Sequence, residues 1–451
     1  MKFHSTKIIA TLGPASSKKG AIKKLILAGV NAFRINTAHG SLQEYSSLVS
    51  LVRSVSAQTP VIIDLKGPEL RLKTKTTMQI EKGSEIWAGF SRKDNLYFDK
   101  DFYKKVSEGT KMLFEDGKYC ARVVKKRAGK ILLKFALPAV LRHNKGVNIP
   151  GEELGLASLS KKDLKVLEWA RKKRLSFFAL SFARSGKDVK ALRKKAGNDC
   201  VIISKIESRQ GVENFSGILA ESDGIIVARG DLGAEVRRES IPLLQKKMIR
   251  QCLEAGKFSV VATQMLESMI SSDTPTRAEI NDIANSVLDG ADCLMLSGET
   301  AIGINPVAAA KEMRRSCEAV ENGVVNKVSM NLGDGVSDSI TKSIHQLASY
   351  LKVDKIVAFT RSGYTAKMIS RFRGKIPVVG ACWDKRTARI LGLHFGVFPF
   401  LLPRGIGVRS KKALSLLKKN GLLAKGDVVI VTGNVQEGEE KHANLIEVQK
   451  I

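Results

Sequence analysis

The feature that most constrains this chain is a rhythm: short apolar, strand-like runs alternate with segments whose apolar residues recur at helical spacing. The runs are Lys7–Thr11, Asn31–Asn36, Pro60–Lys66, Ser176–Ser181, Cys200–Ile206, Gly224–Ala228, Phe258–Thr263 and Cys293–Ser297. Helix-period segments such as Lys19–Ala28, Glu44–Ser56, Ile241–Glu254 and Arg277–Asp289 separate them. Near-continuous apolar strands joined by helices imply a parallel sheet buried on both faces. Eight such units close most naturally as a (β/α)8 TIM barrel, an α/β fold.

The rhythm breaks once. Between Lys66 and Leu164 the helical period gives way to short β-like stretches and turns, among them "MQIEKGSEIWAGF" and "KMLFEDGKYC". This reads as a small all-β lid domain, residues 72–146, inserted after the third strand of a discontinuous barrel, 1–71 and 147–330. A new α/β series then begins: helix Val336–Leu351, strand Lys355–Thr360, helix Tyr364–Phe372, strand Pro377–Trp383. Residues 331–451 are accordingly expected to form a C-terminal α/β domain.

Composition narrows the function classes. Hydrophobic residues at 43% and charged residues at 26% are those of an ordinary globular chain, and no apolar run is long enough to span a membrane. The N-terminus has too short an apolar run for a secretory signal, so a cytoplasmic location is expected. The six cysteines show no metal-ligand spacing and read as free, buried thiols. The net charge of +31 raises the prior for anionic ligands. Its Lys and Arg are spread along helical segments, however, with no zinc-finger spacing or RNP-like aromatic pattern. A solvated basic surface is expected, with no dedicated nucleic-acid or membrane partner.

In a parallel barrel the βα loops gather at the C-terminal strand ends, so polar residues there mark the site. Strand two ends with Arg34 and Asn36, strand three with Asp64 and Lys66, strand five with Lys205 and Glu207. Strand six runs into Asp231, strand seven ends at Thr263, and strand eight at Ser297 and Glu299. Any one of these has an ordinary reading as a solvated residue. Their convergence on one rim does not, because half-buried charges are costly unless paired or metal-bound. Glu207 and Asp231 form a hard-oxygen pair suited to Mg2+ or Mn2+. Arg34, Lys205 and Arg71 supply positive charge for phosphoryl oxygens. Gly230 is expected to permit close backbone approach, with a helix start aiming N–H groups at an anion. The set describes a metal-assisted pocket for a small phosphorylated acid. There is no P-loop motif. The tripeptide Arg229-Gly230-Asp231 also spells a cell-adhesion signal, but that reading needs an exposed extracellular loop.

The motifs "TKIIATLGPAS", "AGVNAFRINTAHG", "DLKGPELR", "KGVNIPG", "ISKIES", "SDGIIVARGDLGAE", "ATQMLESM", "TPTRAEINDIANSVLDGADCLMLSGETA" and "FTRSGYTA" occur in the order found in pyruvate kinase. The chain resembles that family over nearly its whole length, most densely from Ile203 to Gly303. The resemblance implies phosphoryl transfer from phosphoenolpyruvate to ADP, giving pyruvate and ATP in the last step of glycolysis. By motif, Arg34 holds the transferring phosphate, Lys205 stabilises charge in the transition state, and Glu207 and Asp231 bind the divalent metal. Backbone N–H groups of Gly230 and Asp231 hold the substrate carboxylate beside Thr263. Enolate protonation involves water and hydroxyls near Thr263 and Ser297. Arg71, Lys145 and the turn Asn36, Thr37, Ala38, His39 contact the nucleotide.

The monovalent-cation site implied by the resemblance involves Asn36, residue 38, Asp64 and the carbonyl of residue 65. Ala38 stands where Ser is common and Leu65 where Thr is common, while Glu69 is retained where potassium-independent members tend to carry Lys. A weakened K+ dependence is expected. In the C-terminal domain, Thr360, Ser362, Gly363 and Thr365 form a strand-to-helix turn suited to a sugar-phosphate or nucleotide effector. A homotetramer and allosteric control are implied by the resemblance. Two rivals are a metal-dependent barrel enzyme working on a C–C bond beside a pyruvate enolate, and a non-catalytic binder of anionic surfaces supported only by charge.

Overall fold

The computed structural model describes residues 3–115, 117–152, 154–323, 333, 335–407, 410–434 and 443–451. Eight parallel strands close a barrel: β1 (Lys7–Leu12), β2 (Val30–Asn36), β3 (Val61–Leu65), β4 (Phe177–Leu180), β5 (Val201–Ile206), β6 (Gly224–Ala228), β7 (Phe258–Ala262) and β8 (Cys293–Leu296). Closure is between β1 and β8, with Lys7 opposite Cys293 and Ala10 opposite Leu296. The strands carry no polar–apolar alternation because both faces are covered. On β1, Ile9 points into the barrel interior while Ile8 and Ala10 pack against the helices. The interior is filled by side chains such as Ile62, Val201, Ile226, Phe258 and Met295. Gly224 is required there, since a Cβ would lie 2.4 Å from the Phe258 ring.

Helix starts follow the local sequence. Ser41 with Glu44, Ser160 with Asp163 and Thr276 with Glu279 each form a capping box, which satisfies first-turn N–H groups. Asp163 does more: its Oδ1 accepts the Lys66 N–H at 2.9 Å, pinning the end of β3 from the helix that follows the insertion.

The insertion is an antiparallel sheet of seven strands with a two-stranded companion. Its first strand, Leu70–Thr74, pairs with its last, Lys145–Asn148, with Arg71 opposite Gly146. The chain therefore enters and leaves the sheet through one paired ribbon, two residues outside the expected 72–146 at each end. The core, including Phe98, Phe114, Val123 and Phe135, is its own. Cys120 lies exposed on this sheet, a departure from the buried-thiol reading; the other five thiols are free and buried.

The C-terminal sheet comprises β9 (Lys355–Phe359), β10 (Val378–Cys382), β11 (Val397–Leu401), β12 (Val428–Gly433) and β13 (Leu445–Lys450), in the order β11-β10-β9-β12-β13 with only the last pair antiparallel. Ile390 and Leu393 of this unit join the barrel-interior cluster. The expected boundary at 330/331 lies outside the described residues. Among the described residues, no helix is long and apolar enough to cross a membrane.

Candidate active site

At the C-terminal end of the barrel a cavity of about 630 Å³ opens between the strand ends and the ribbon leading to the inserted sheet. Arg34, Asn36, Lys205, Glu207 and Asp231 line it from the barrel, and Arg71, Gly146 and Asn148 from the ribbon. Beneath it is a buried charge lattice. Arg34 Nε donates to Asp64 Oδ2 at 2.6 Å and Arg34 Nη1 to Thr11 Oγ1 at 3.1 Å. The Lys205 ammonium lies 2.8 Å from Glu207 Oε1 and 3.4 Å from Asp64 Oδ2, and donates to Ser181 Oγ at 3.0 Å. Ser181 in turn donates to Asp64 Oδ1 at 3.2 Å. Glu207 Oε2 accepts the Phe182 N–H at 2.7 Å.

Electrostatics bind these groups together. Burial alone would raise the Asp64 carboxyl, but Lys205 and Arg34 beside it hold it below the usual aspartate range. Burial alone would lower the Lys205 ammonium, yet Asp64 and Glu207 push it above the usual lysine range. Lys205 therefore carries its charge at neutral pH in this arrangement.

The end of β6 reaches the cavity through Asp231, whereas Gly230, Thr263 and Ser297 are not among its lining residues. The short helix Arg229–Glu235 starts directly from β6. Its Gly230 N–H donates to Thr263 Oγ1 at 2.8 Å. Thr263 and Gln264 are both left-handed, with φ of 71° and 56°. For a β-branched residue this is a strained conformation that its surroundings must enforce. Arg229 enforces it: Nη2 donates to the Thr263 carbonyl at 2.6 Å, while Nη1 is paired with Asp282 at 2.6 Å. This partly buried, paired arginine does not suit the adhesion reading.

Several expectations need correction or placement. Gly230 does not need to be glycine for the protein's own packing, since a Cβ would make only ordinary contacts of 3.5 Å or more with Thr263. Glu299 does not face the cleft. Its carboxylate is buried and accepts N–H groups from Leu266 at 3.1 Å and Ser297 at 2.7 Å, bracing two βα loops. Thr263 and Ser297 lie one residue beyond their strands. Thr37 is fully buried, and its hydroxyl donates to the Asp64 carbonyl at 2.7 Å. Ala38 and His39 line the cavity. Arg71 pairs with Glu69, which also pairs with Lys66 at 3.3 Å. Lys145 is exposed at the start of its strand, next to the cavity-lining Gly146.

Ser181, at the end of β4, was missed. The strand-end rule that selects Asp64 and Lys205 selects it equally, but a lone serine carries no charge to draw notice. Asp163 and Arg229 were missed because their partners are remote in sequence.

The donor sets can be tested against cations. Glu207 and Asp231 offer hard carboxylate oxygens on one cavity wall, which fits a divalent ion. Among the described residues no group of three or more His, Cys, Asp or Glu gathers as a self-sufficient metal cage, so substrate oxygens and water have to complete the shell. The monovalent set fits less well: Ala38 has no side-chain oxygen, and Asn36 Oδ1 is taken by the Ala38 N–H at 3.0 Å.

Near Gly363, φ 84°, the turn expected to take an effector joins β9 to the helix Tyr364–Ser370, with Thr360 and Thr365 buried.

Comparison with known proteins gives a consistent result. The family described as "Pyruvate kinase, barrel domain" matches residues 3–310, and "Pyruvate kinase, alpha/beta domain" matches residues 338–449. A pyruvate kinase of Sporosarcina psychrophila is 35% identical over 474 aligned positions, covering 100% of this chain and 81% of the relative. One from Clostridium acetobutylicum is 33% identical over 473 positions and 100% of both chains. One from Thermoplasma acidophilum is 36% identical over 434 positions, 95% of this chain and 79% of the relative.

Proposed function

The chain belongs to the pyruvate kinase family and is a phosphotransferase acting on phosphoenolpyruvate and ADP; we propose that it does so through the charge lattice of Arg34, Asp64, Lys205 and Glu207 at the cavity rim. That lattice is the observation that carries the assignment of roles. In this reading Arg34 grips the phosphoryl group as it moves. Lys205 lines the cleft beside Glu207, where its charge offsets the negative charge building on phosphoryl and enolate oxygens. Gly230 and Asp231 present backbone N–H groups to the substrate carboxylate, with Gly230 exchanging its bond to Thr263 for one to the substrate. Thr263 and Ser297 flank the enolate, and their hydroxyls help hold water where carbon is protonated.

Glu207 and Asp231 would hold Mg2+ or Mn2+, which supplies charge neutralisation on phosphate oxygens when bound. A monovalent K+ would sit near Asn36, Asp64 and the Leu65 carbonyl on a reduced set of donors. Arg71, Lys145 and the turn Asn36–His39 receive the nucleotide phosphates, and the inserted sheet acts as a lid that excludes water during transfer. The turn Thr360, Ser362, Gly363, Thr365 takes a sugar-phosphate or nucleotide effector. A homotetramer located in the cytoplasm, without a dedicated nucleic-acid or membrane partner, completes the reading.

The test is Lys205→Met. Removing a charge used mainly in the transition state should lower kcat at least about 10²-fold while leaving divalent-metal and phosphoenolpyruvate binding near wild type. Undiminished turnover in a coupled assay would refute the role given to Lys205.

A further inference from the structure

Two segments that the reaction needs in register meet at one carboxylate outside the roles assigned above. Glu235 is the last residue of the helix that begins at β6, one turn beyond Asp231 and on the same helical face. Its Oε1 accepts a hydrogen bond from Asn148 Nδ2 at 3.2 Å. Asn148 ends the return strand of the inserted sheet, the strand paired with Leu70–Leu72 and with Leu113–Phe114. Arg209, two residues beyond Glu207, lines the same cavity as Glu235. Both Asn148 and Glu235 line the main cavity together with Glu207 and Asp231. Gly117 of the inserted sheet comes near the same helix, close enough that an added Cβ would meet Ala234 Cβ at 3.4 Å.

We propose that Asn148 and Glu235 form the latch of the lid, positioning residues that couple the position of the inserted sheet to the helix bearing Asp231. The inference rests on the reading of the inserted sheet as a lid over the cleft. The physical reason for placing a latch here is economy of motion. The sheet is tethered by a single two-stranded ribbon, so rotation about that ribbon is its softest motion. A hydrogen bond at the ribbon's barrel end is made or broken as the hinge angle changes, so its state follows the position of the sheet. Because Glu235 ends the helix that carries Asp231, its bond to Asn148 makes the position of the lid and the ordering of that helix one event. Neither residue touches the reacting atoms; their effect is on how long substrates are held.

The test is a double-mutant cycle in the full-length enzyme: Asn148→Ala, Glu235→Ala, the double variant, and Glu235→Gln, which retains an acceptor for Asn148. A fluorophore on Cys120, the exposed thiol of the inserted sheet, serves as the probe of lid movement itself. The latch predicts a KM for ADP raised about fivefold in each single variant, with kcat within about twofold of wild type. The double variant should be no worse than either single, and Glu235→Gln should recover most of the loss, because the two residues act as one unit. A merely structural role would instead lower thermal stability and the active fraction with KM unchanged. Multiplying single effects, or an unchanged KM in both single variants, overturns the latch. If ADP shifts the Cys120 signal in wild type but KM for ADP moves in no latch variant, the lid reading stands and the latch alone fails; if ADP shifts that signal in none of the proteins, both fail.

Discussion

At the scale of single residues, the site is a problem in keeping charge buried without losing it. Lys205 and Arg34 are each about nine-tenths buried, a placement that costs several kcal/mol per ion unless partners repay it. Asp64 repays both, and Ser181 uses its hydroxyl to connect the two sides. The weak point in this economy is residue 38. With Ala38 in place, the turn after β2 contributes no side-chain oxygen, and the Asn36 amide oxygen is spent on the Ala38 N–H. We expect turnover to rise only modestly on adding K+. Ala38→Ser should lower the K+ concentration for half-maximal activation by about tenfold, the worth of one hydrogen-bond-strength ligand. Equal wild-type turnover with and without K+, at constant ionic strength, would refute any dependence.

Elements matter here through the loops they brace. Strand β3 ends at Leu65, and its exit is held by Asp163, a residue from beyond the whole insertion. Asp163 is fully buried, accepts N–H groups from Lys66 and Ser160, and caps its own helix through Ser160 Oγ. Asp163→Ala should cost about 2–3 kcal/mol, since it leaves buried N–H donors unsatisfied as well as removing a cap. Denaturant unfolding would measure it, and a loss below about 0.5 kcal/mol would show that water replaces the carboxylate. Much of this level was legible beforehand. The eight strands and the helices flanking them follow from apolar periodicity, and the capping boxes are visible as Ser or Thr three residues before Glu or Asp. Strand ends were shifted by a residue or two, because tertiary contacts decide them. Thr263 illustrates this: its left-handed backbone terminates β7, and that conformation depends on Arg229 from another loop.

For the whole molecule, the barrel floor is closed jointly by barrel residues and the C-terminal unit. Leu393 and Ile390 fill the interior, Arg373 lies 2.8 Å from Asp292, and Phe395 N donates to Asp292 at 2.9 Å. Lys7 is buried in the same seam, with its ammonium donating to the Val397 carbonyl at 2.9 Å and lying 4.1 Å from the Phe398 ring centroid. Burial, helped by Arg314, lowers its pKa from 10.5 to about 7. The folded chain thus holds this proton less tightly than the unfolded chain. Between about pH 7 and 10.5 the unfolded state keeps the proton that the folded state has lost, so this group makes stability rise with pH across that window. Below about pH 7 both states are protonated and the full burial penalty remains. The unfolding free energy of wild type relative to Lys7→Met should therefore improve from pH 7 to pH 9.5. A flat or falling difference would show that Lys7 stays charged in the fold.

By itself the sequence determined the barrel, the inserted sheet, the C-terminal unit and the strand-end charges, because each is written in local periodicity or in a short motif. It could not determine which carboxylate serves which cation. Asp64 and Glu207 share Lys205, Glu299 turns away to brace loops, and Glu235 reaches Asn148, through contacts between residues far apart in the chain. Those pairings were decided only when closure of the barrel set the distances, since Coulomb and hydrogen-bond energies depend on separation in space and not along the sequence.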